Sequence, residues 1–238
     1  MTALLELNNL VVGYPGRPLS SPLTVEIPRG ARVGIIGANG SGKSTLVKTL
    51  LGLVTPLAGS YHWEQEATFG LVPQEDQISP LFPLTIHDIL RMGMRRMKKF
   101  EAVATEILQE LEILPLKNRL LRELSRGQKQ RTLIARALIG KPQVLILDEP
   151  YSSLDDLFKE KLWEIFSRRL QGSSFSLIMI EHDLNRVINR VDWVILLAPH
   201  GTLAGPRDTV ISAEALSRAY GTKVHIHKEE GETQIHFL

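Results

Sequence analysis

The chain has 238 residues, 43% of them hydrophobic and 23% charged, with 28 lysines and arginines against 26 aspartates and glutamates and no cysteine. That length suits one α/β domain carrying an inserted subdomain better than two full domains. A formal net charge of +2 is too small for a nucleic-acid footprint, no stretch approaches the ~20 apolar residues of a membrane span, and disulfide or thiolate chemistry is excluded.

Residues 1–12 lack a basic start, and Glu6, Asn8 and Asn9 break their apolar run, so they do not read as a secretory leader. A cytosolic setting is therefore expected. Strands are predicted at 4–12 and 23–27, joined by a turn through Pro15, Gly16 and Pro18. Arg32–Ile36 reads as a short buried strand and residues 44–51 as a helix. Further strands follow at 59–63 and 68–72. Ile86, Ile89 and Leu90 then share a helical face, and residues 101–112 repeat apolar positions at Val103, Ile107, Leu108 and Leu111 with helical spacing. Continuous apolar strands return at 144–147, 176–180 and 193–197, separated by helical stretches at 157–170 and 183–189. Such alternation indicates a parallel sheet buried on both faces.

Between the strand Arg32–Ile36 and its helix stands Gly37-Ala38-Asn39-Gly40-Ser41-Gly42-Lys43-Ser44, a complete G-x-x-x-x-G-K-[ST] phosphate loop. Its glycines let backbone N–H groups close around phosphate oxygens, and the following helix aims its positive dipole end at the same anion. Lys43 is expected to reach the β and γ phosphates, and the Ser44 hydroxyl to coordinate Mg²⁺. At the end of the apolar strand 144–147 stand Asp148 and Glu149, where ligands of a parallel sheet sit. Asp148 is placed to hold Mg²⁺ and Glu149 to polarise an attacking water.

Leu124-Ser125-Arg126-Gly127-Gln128, followed by Gln130-Arg131 and Ala135-Arg136-Ala137-Leu138, is the most discriminating segment. Ser125 has the hydroxyl of a helix N-cap and Gly127 permits close approach, so this helix start is a second anion site. Here the chain resembles the ATP-binding cassette (ABC) ATPases, whose signature is LSGGQ, and the motif order matches that family over residues 4–220. Arg126 departs from the pattern at the first signature glycine, and Tyr151 stands where the family often has Thr.

The resemblance implies a P-loop NTPase core with a mostly parallel sheet (1–75 and 142–222), including an N-terminal antiparallel β subdomain, an inserted α-helical signature subdomain (76–141) and a C-terminal β tail (223–238). It implies ATP as ligand, Thr45 extending the phosphate loop's set, and Tyr14 stacking on adenine. Gln74 matches the glutamine that touches the metal and the attacking water, Asp155 falls in the loop that crosses the dimer interface, and His182 matches the histidine that contacts the γ-phosphate. It also implies a head-to-tail homodimer, or a pair with a closely related second ATPase subunit. In it Ser125, Gly127 and Gln128 of one copy close on the nucleotide at Lys43 of the other.

A cassette of this kind docks on integral membrane permease subunits at the cytoplasmic face of the inner membrane. Residues 79–93, with Phe82-Pro83-Leu84-Thr85-Ile86 ahead of a helix ending in Met92-Gly93, resemble importers of zinc, manganese, iron chelates, haem and cobalamin, which also use an extracytoplasmic substrate-binding protein. Thr85 and Asp88 read as that helix's start. The alternatives are the ATPase of a drug or lipid exporter and a soluble non-transport ABC protein; no nucleic-acid partner is expected. Two further features are the basic run Arg95, Arg96, Lys98 and Lys99, and the histidines His225, His227 and His236. The H-x-H pair would share one face of a strand, where two imidazoles can bind a metal, yet no third ligand is fixed by spacing.

Overall fold

Strand β1 (Ala3–Val11) runs antiparallel between β4 (Leu23–Pro28) and β6 (Ala58–Trp63), with Leu7 opposite Val25 on one side and Tyr61 on the other. Leu23, Val25 and Ile27 are buried while Thr24 and Glu26 are exposed, the alternation of a sheet with one face on the core. Two short strands, β2 (Gly13–Tyr14) and β3 (Arg17–Pro18), form a small hairpin between β1 and β4 in the chain. The computed structural model describes residues 3–73, 83–94, 99–171, 175–198, 201–229 and 232–238. They fall into two compact units, Met1–Glu66 with Leu177–Leu238, and Ala67–Ser176.

In the first unit β5 (Arg32–Ile36) lies parallel between β9 (Ser176–Ile180) and β10 (Trp193–Leu196), with Ile35 opposite Ile180 and Ile195. Residues 33–36 and all of β9 are buried, so the hydrophobic run is continuous rather than alternating. A short antiparallel strand, β11 (Leu203–Pro206), pairs with β10. Gly205 and Pro206 leave that segment without a strand pattern, and the sequence does not announce it. Helix α1 (Lys43–Leu50) follows the phosphate loop, and α6 (Leu184–Ile188) follows β9 with Asp183 as its N-cap. Beyond β11 come α7 (Arg207–Val210), α8 (Ala213–Tyr220) and the hairpin β12 (Val224–Glu229) with β13 (Glu232–Phe237).

The second unit pairs β7 (Phe69–Val72) in parallel with β8 (Val144–Asp148), Leu71 facing Ile146, and carries among its described residues four α-helices, α2 (Ile86–Met92), α3 (Phe100–Glu110), α4 (Arg126–Ile139) and α5 (Asp156–Leu170). The predicted start of α2 is a full capping box: the Asp88 N–H donates to Thr85 Oγ1 at 3.1 Å and the Thr85 N–H donates to Asp88 Oδ2 at 3.0 Å. The Thr85 hydroxyl, donating to Asp88 Oδ2 at 2.6 Å, and then the Thr85 N–H hold the Asp88 carboxyl below its ordinary range. Glu101 in α3 receives Lys117 at 2.6 Å and meets His87 Nε2 at 2.8 Å, and the lysine first, then the histidine, lowers its pKa to about 2. None of the described helices is long and apolar enough to cross a membrane.

Candidate functional site

The phosphate loop leaves β5 at Gly37, where the sheet ladder stops: the Leu197 N–H donates to Ile36 O at 2.8 Å, and the next amide, Gly37 N–H, turns to the Tyr220 hydroxyl at 3.0 Å. Gly37 has φ 149°, and a Cβ there would stand 2.4 Å from Leu197 O. Gly42, the N-cap of α1, has φ 97°, and its Cβ would stand 2.9 Å from Leu19 Cβ. Side chains are therefore excluded at both ends of the loop. Lys43 is buried, its ammonium donating to Gly37 O at 2.9 Å and Ala38 O at 3.1 Å. Ser41 and Thr45 are buried beside it, Asn39 and Gly40 are exposed, and Ser44 is half-buried in the first turn of α1.

A cavity of about 380 Å³ opens at this loop, lined by Gly37, Ala38, Asn39, His182, Tyr220 and Phe237. Four of these residues are predicted site residues, brought together from two strand ends. Tyr220 and Phe237 are additions that no local motif announces, since they reach the loop from the far end of the chain. Burial pushes the Tyr220 hydroxyl up to about 12, against the opposing pull of the Gly37 N–H, so it stays protonated at neutral pH. Tyr14, on the β2–β3 hairpin opposite Arg17, is 49% exposed, a surface ring available for stacking.

In the second unit, β8 delivers Asp148 at its buried end, and the chain then turns sharply: Glu149 has φ 52°, in the left-handed region. The Ser152 hydroxyl donates to Glu149 O at 3.3 Å and holds the turn. A non-glycine residue in that conformation, directly before a proline, stores backbone strain of the kind that collects at functional sites.

Ser125 caps α4 as predicted from the sequence, with the Gln128 N–H donating to its hydroxyl at 3.3 Å and the Ser125 N–H donating to Gln128 Oε1 at 3.0 Å. Arg126 is exposed at the first helical position, and a Cβ on Gly127 would stand 3.0 Å from Ser153 O. Asp155 caps α5 through the Phe158 N–H at 2.9 Å and also receives Arg131 at 3.4 Å. Tyr151 is 1% exposed, a core side chain rather than a surface one. Two neighbours in α4 add to the predicted set. Buried Gln130 donates from Nε2 to Pro150 O at 3.1 Å, and Arg131 lies over the Phe158 ring at 3.5 Å.

Gln74, predicted as a metal and water ligand, lies outside the described residues, as do residues 79–82, Arg95, Arg96 and Lys98. His225 faces His236 across the β12–β13 hairpin, and His227 follows on the same strand face; all three are exposed. Among the described residues no three histidines, cysteines or carboxylates gather as a metal site.

The donor set fits the ligands the sequence implies. A Cβ on Gly40 would meet nothing, so the loop is open to a phosphate there, buried Lys43 supplies the cation, and in the same unit Ser44 offers a hard oxygen donor of the kind Mg²⁺ prefers.

Comparison with known proteins places these features in a family. The profile of the ABC transporter family matches residues 20–152. The manganese transport system ATP-binding protein MntB of Bacillus subtilis (strain 168) is 30% identical over 94% of this chain and 95% of its own length. The zinc import ATP-binding protein ZnuC of Buchnera aphidicola subsp. Schizaphis graminum (strain Sg) is 31% identical over 96% and 94%. A solved chain from an ABC transporter assigned to the metal-chelate type, in an inward-facing conformation, superposes with a TM-score of 0.84 at 25% identity, covering 100% of this chain and 97% of that one. The fold is accordingly that of the ABC cassettes, a P-loop core with a mostly parallel sheet, an antiparallel β region and helices. With a phosphate loop at Gly37–Ser44 and a signature helix at Ser125, the chain belongs to the ABC transporter family, as one of its ATP-hydrolysing subunits.

Proposed function

We propose that this chain powers the import of metal ions or metal chelates, pairing head-to-tail with a second copy or a close relative and driving membrane permease subunits served by an extracytoplasmic binding protein. The carrying observation is similarity along nearly the whole chain to subunits named for manganese and zinc transport. No observation favours the exporter reading. The working position is peripheral, on the cytoplasmic face of the inner membrane.

In this reading the amides of Gly40–Thr45 and the Lys43 ammonium bind the phosphates of ATP, and Tyr14 stacks on the base. Ser44, Asp148 and Gln74 would hold Mg²⁺, which when bound neutralises charge on the β and γ phosphates. Glu149 accepts a proton from the attacking water as its oxygen bonds to the γ-phosphorus, the bond to the β–γ bridging oxygen breaks, and ADP and phosphate leave. His182 and Asn39 stand beside the first loop residues, on the cavity of that unit. Ser125, Gly127 and Gln128 approach the γ-phosphate of the partner copy, and Asp155 lies along the same interface. Positioning and charge neutralisation supply most of the acceleration.

The test combines chemistry and cargo. Glu149→Gln should bind ATP as the parent does and lose turnover, while Lys43→Ala should lose affinity in calorimetry. Permease subunits co-purified from membranes with this chain, reconstituted with the binding protein, should show hydrolysis stimulated by a manganese, zinc or metal-chelate load. Stimulation by a lipophilic drug and not by these cargoes would establish the exporter instead.

A further inference from the structure

The C-terminal segment is fastened to the nucleotide-handling end of the first unit at three points. At the first, α8 ends at Gly221 in the left-handed region, the Val224 N–H donates to Ser217 Oγ at 2.9 Å, and Leu238 N–H donates to Lys223 O at 2.9 Å, so the hairpin is pinned to the helix that carries Tyr220. At the second, two asparagines one helical turn apart, Asn185 in α6 and Asn189 at its C-cap, act as a substitute strand. Asn185 exchanges bonds of 3.1 and 2.6 Å with the backbone of Ile235, and Asn189 exchanges bonds of 3.0 and 2.8 Å with that of Thr233. Both β13 residues are thus held as a neighbouring strand would hold them. At the third, the Phe237 ring meets the Tyr220 ring edge-on at 5.1 Å between centroids and 62° between planes.

These fastenings converge on the first amide of the phosphate loop. Gly37 N–H has left the β5–β10 ladder and needs an acceptor, and the Tyr220 hydroxyl supplies it in a part-buried setting. Helix α6, which with its C-cap carries the asparagine pair, begins two residues after His182. One short hairpin therefore reaches the loop through Tyr220 and directly bonds the element following the predicted γ-phosphate histidine.

We propose that Tyr220 is a positioning residue for the phosphate loop, and that the β12–β13 hairpin is the strap that holds its hydroxyl against Gly37. The inference rests on the loop being the ATP site. Its action is on population: a loop whose first amide has lost its acceptor samples other orientations, and apparent affinity falls by the fraction of time spent away from the binding conformation. Because Gly37 lies upstream of the amides that cradle the phosphates, ATP and ADP should be affected alike.

The experiment uses the full chain. Tyr220→Phe keeps the ring and its contact with Phe237 while removing only the hydroxyl; Phe237→Ala keeps the hydroxyl and loosens the ring. Calorimetry with ADP and steady-state hydrolysis of ATP are measured for both, beside Lys43→Ala and with thermal midpoints recorded without nucleotide. Tyr220→Phe should raise the ADP Kd and the ATP KM about five- to ten-fold, with kcat within about two-fold of the parent and the midpoint little changed. Phe237→Ala should shift both constants in the same direction by less. Unchanged Kd and KM in Tyr220→Phe, or a fall in kcat alone, overturns the proposal. If Lys43→Ala also binds ADP as tightly as the parent, the failure lies with the loop as the ATP site.

Discussion

Glu149 offers a test in which backbone strain and chemistry can be separated. Its φ of 52° places an L-residue in the left-handed region, which costs roughly 1–2 kcal/mol, and Pro150 follows it, a context that favours extended backbone. Glu149→Ala and Glu149→Gly both delete the carboxylate, so both should lose turnover on the proposed mechanism. They differ only in a Cβ. Glycine occupies the left-handed region freely but gives up about 0.5–1 kcal/mol of extra chain entropy on folding. The net expectation is that Glu149→Gly is the more stable of the two by about 1 kcal/mol, or roughly 2–4 °C in thermal midpoint for a chain of this size. Thermal unfolding of the pair without nucleotide, with ATP hydrolysis measured on the same samples, checks both halves. A Glu149→Gly variant less stable than Glu149→Ala would refute the strained turn, and turnover near the parental rate in either would remove Glu149 from the mechanism.

The Glu101 carboxyl, held near a pKa of about 2 against an ordinary 4.5 by Lys117 and His87, contributes stability that is fully present above pH 4.5 and is lost as pH falls toward 2. Glu101→Gln should flatten the acid limb of a stability profile in that window, and an identical limb in parent and variant would show the network to be idle. Gln130→Leu exchanges one unsatisfied atom for another: Gln130 Oε1 finds no partner among the described residues, and after the change Pro150 O loses its donor. Chemical denaturation should therefore register a shift within about 1 kcal/mol, while kcat drops because the turn at Glu149 is less firmly held; parental kcat would dismiss the coupling. Replacing Asn185 and Asn189 together by alanine should speed hydrogen exchange at Thr233 and Ile235 selectively, since each amide donates to one of those side chains. Unaltered exchange there would mean that β13 holds without them.

Local grammar explains which features were readable in the sequence. The phosphate loop, the capped helices at Thr85 and Ser125, and the buried strands at 32–36, 144–147 and 176–180 each declare themselves within a dozen residues, because cap chemistry and two-faced burial act over short spans. The strand Leu203–Pro206 does not, since its pairing with β10 outweighs the glycine and proline within it. Tyr220 and Phe237 were illegible for a different reason. Gly37 and Tyr220 stand 183 positions apart, and no periodicity relates a loop amide to a distant hydroxyl. Glu149 gave no hint of its left-handed backbone, because the Asp-Glu-Pro letters specify the acid and not the turn. Gln130 and Arg131 were visible as letters of the signature, but their work appears only in the contacts they make.

Those contacts bear on why hydrolysis in the proposed pair should wait for closure. Helix α4 has Ser125 and Gly127 at its start, and within its second turn Gln130 reaches Pro150 and Arg131 reaches Asp155 and Phe158. A helix moves as a rigid element over so short a span, so a displacement of its capped end is transmitted to both loops together. On the proposed pairing that end is pulled by the γ-phosphate bound to the other copy, while the residue next to Pro150 is the carboxylate proposed to take the proton of the attacking water. The turn at Glu149 is already strained, and a strained turn persists only while the contacts around it over-determine it, so a shift in those contacts bears on its geometry. Coupling between the two nucleotides would then run through one helix and two side-chain contacts, with the loop between Glu149 and Asp155 as the element both sites bias.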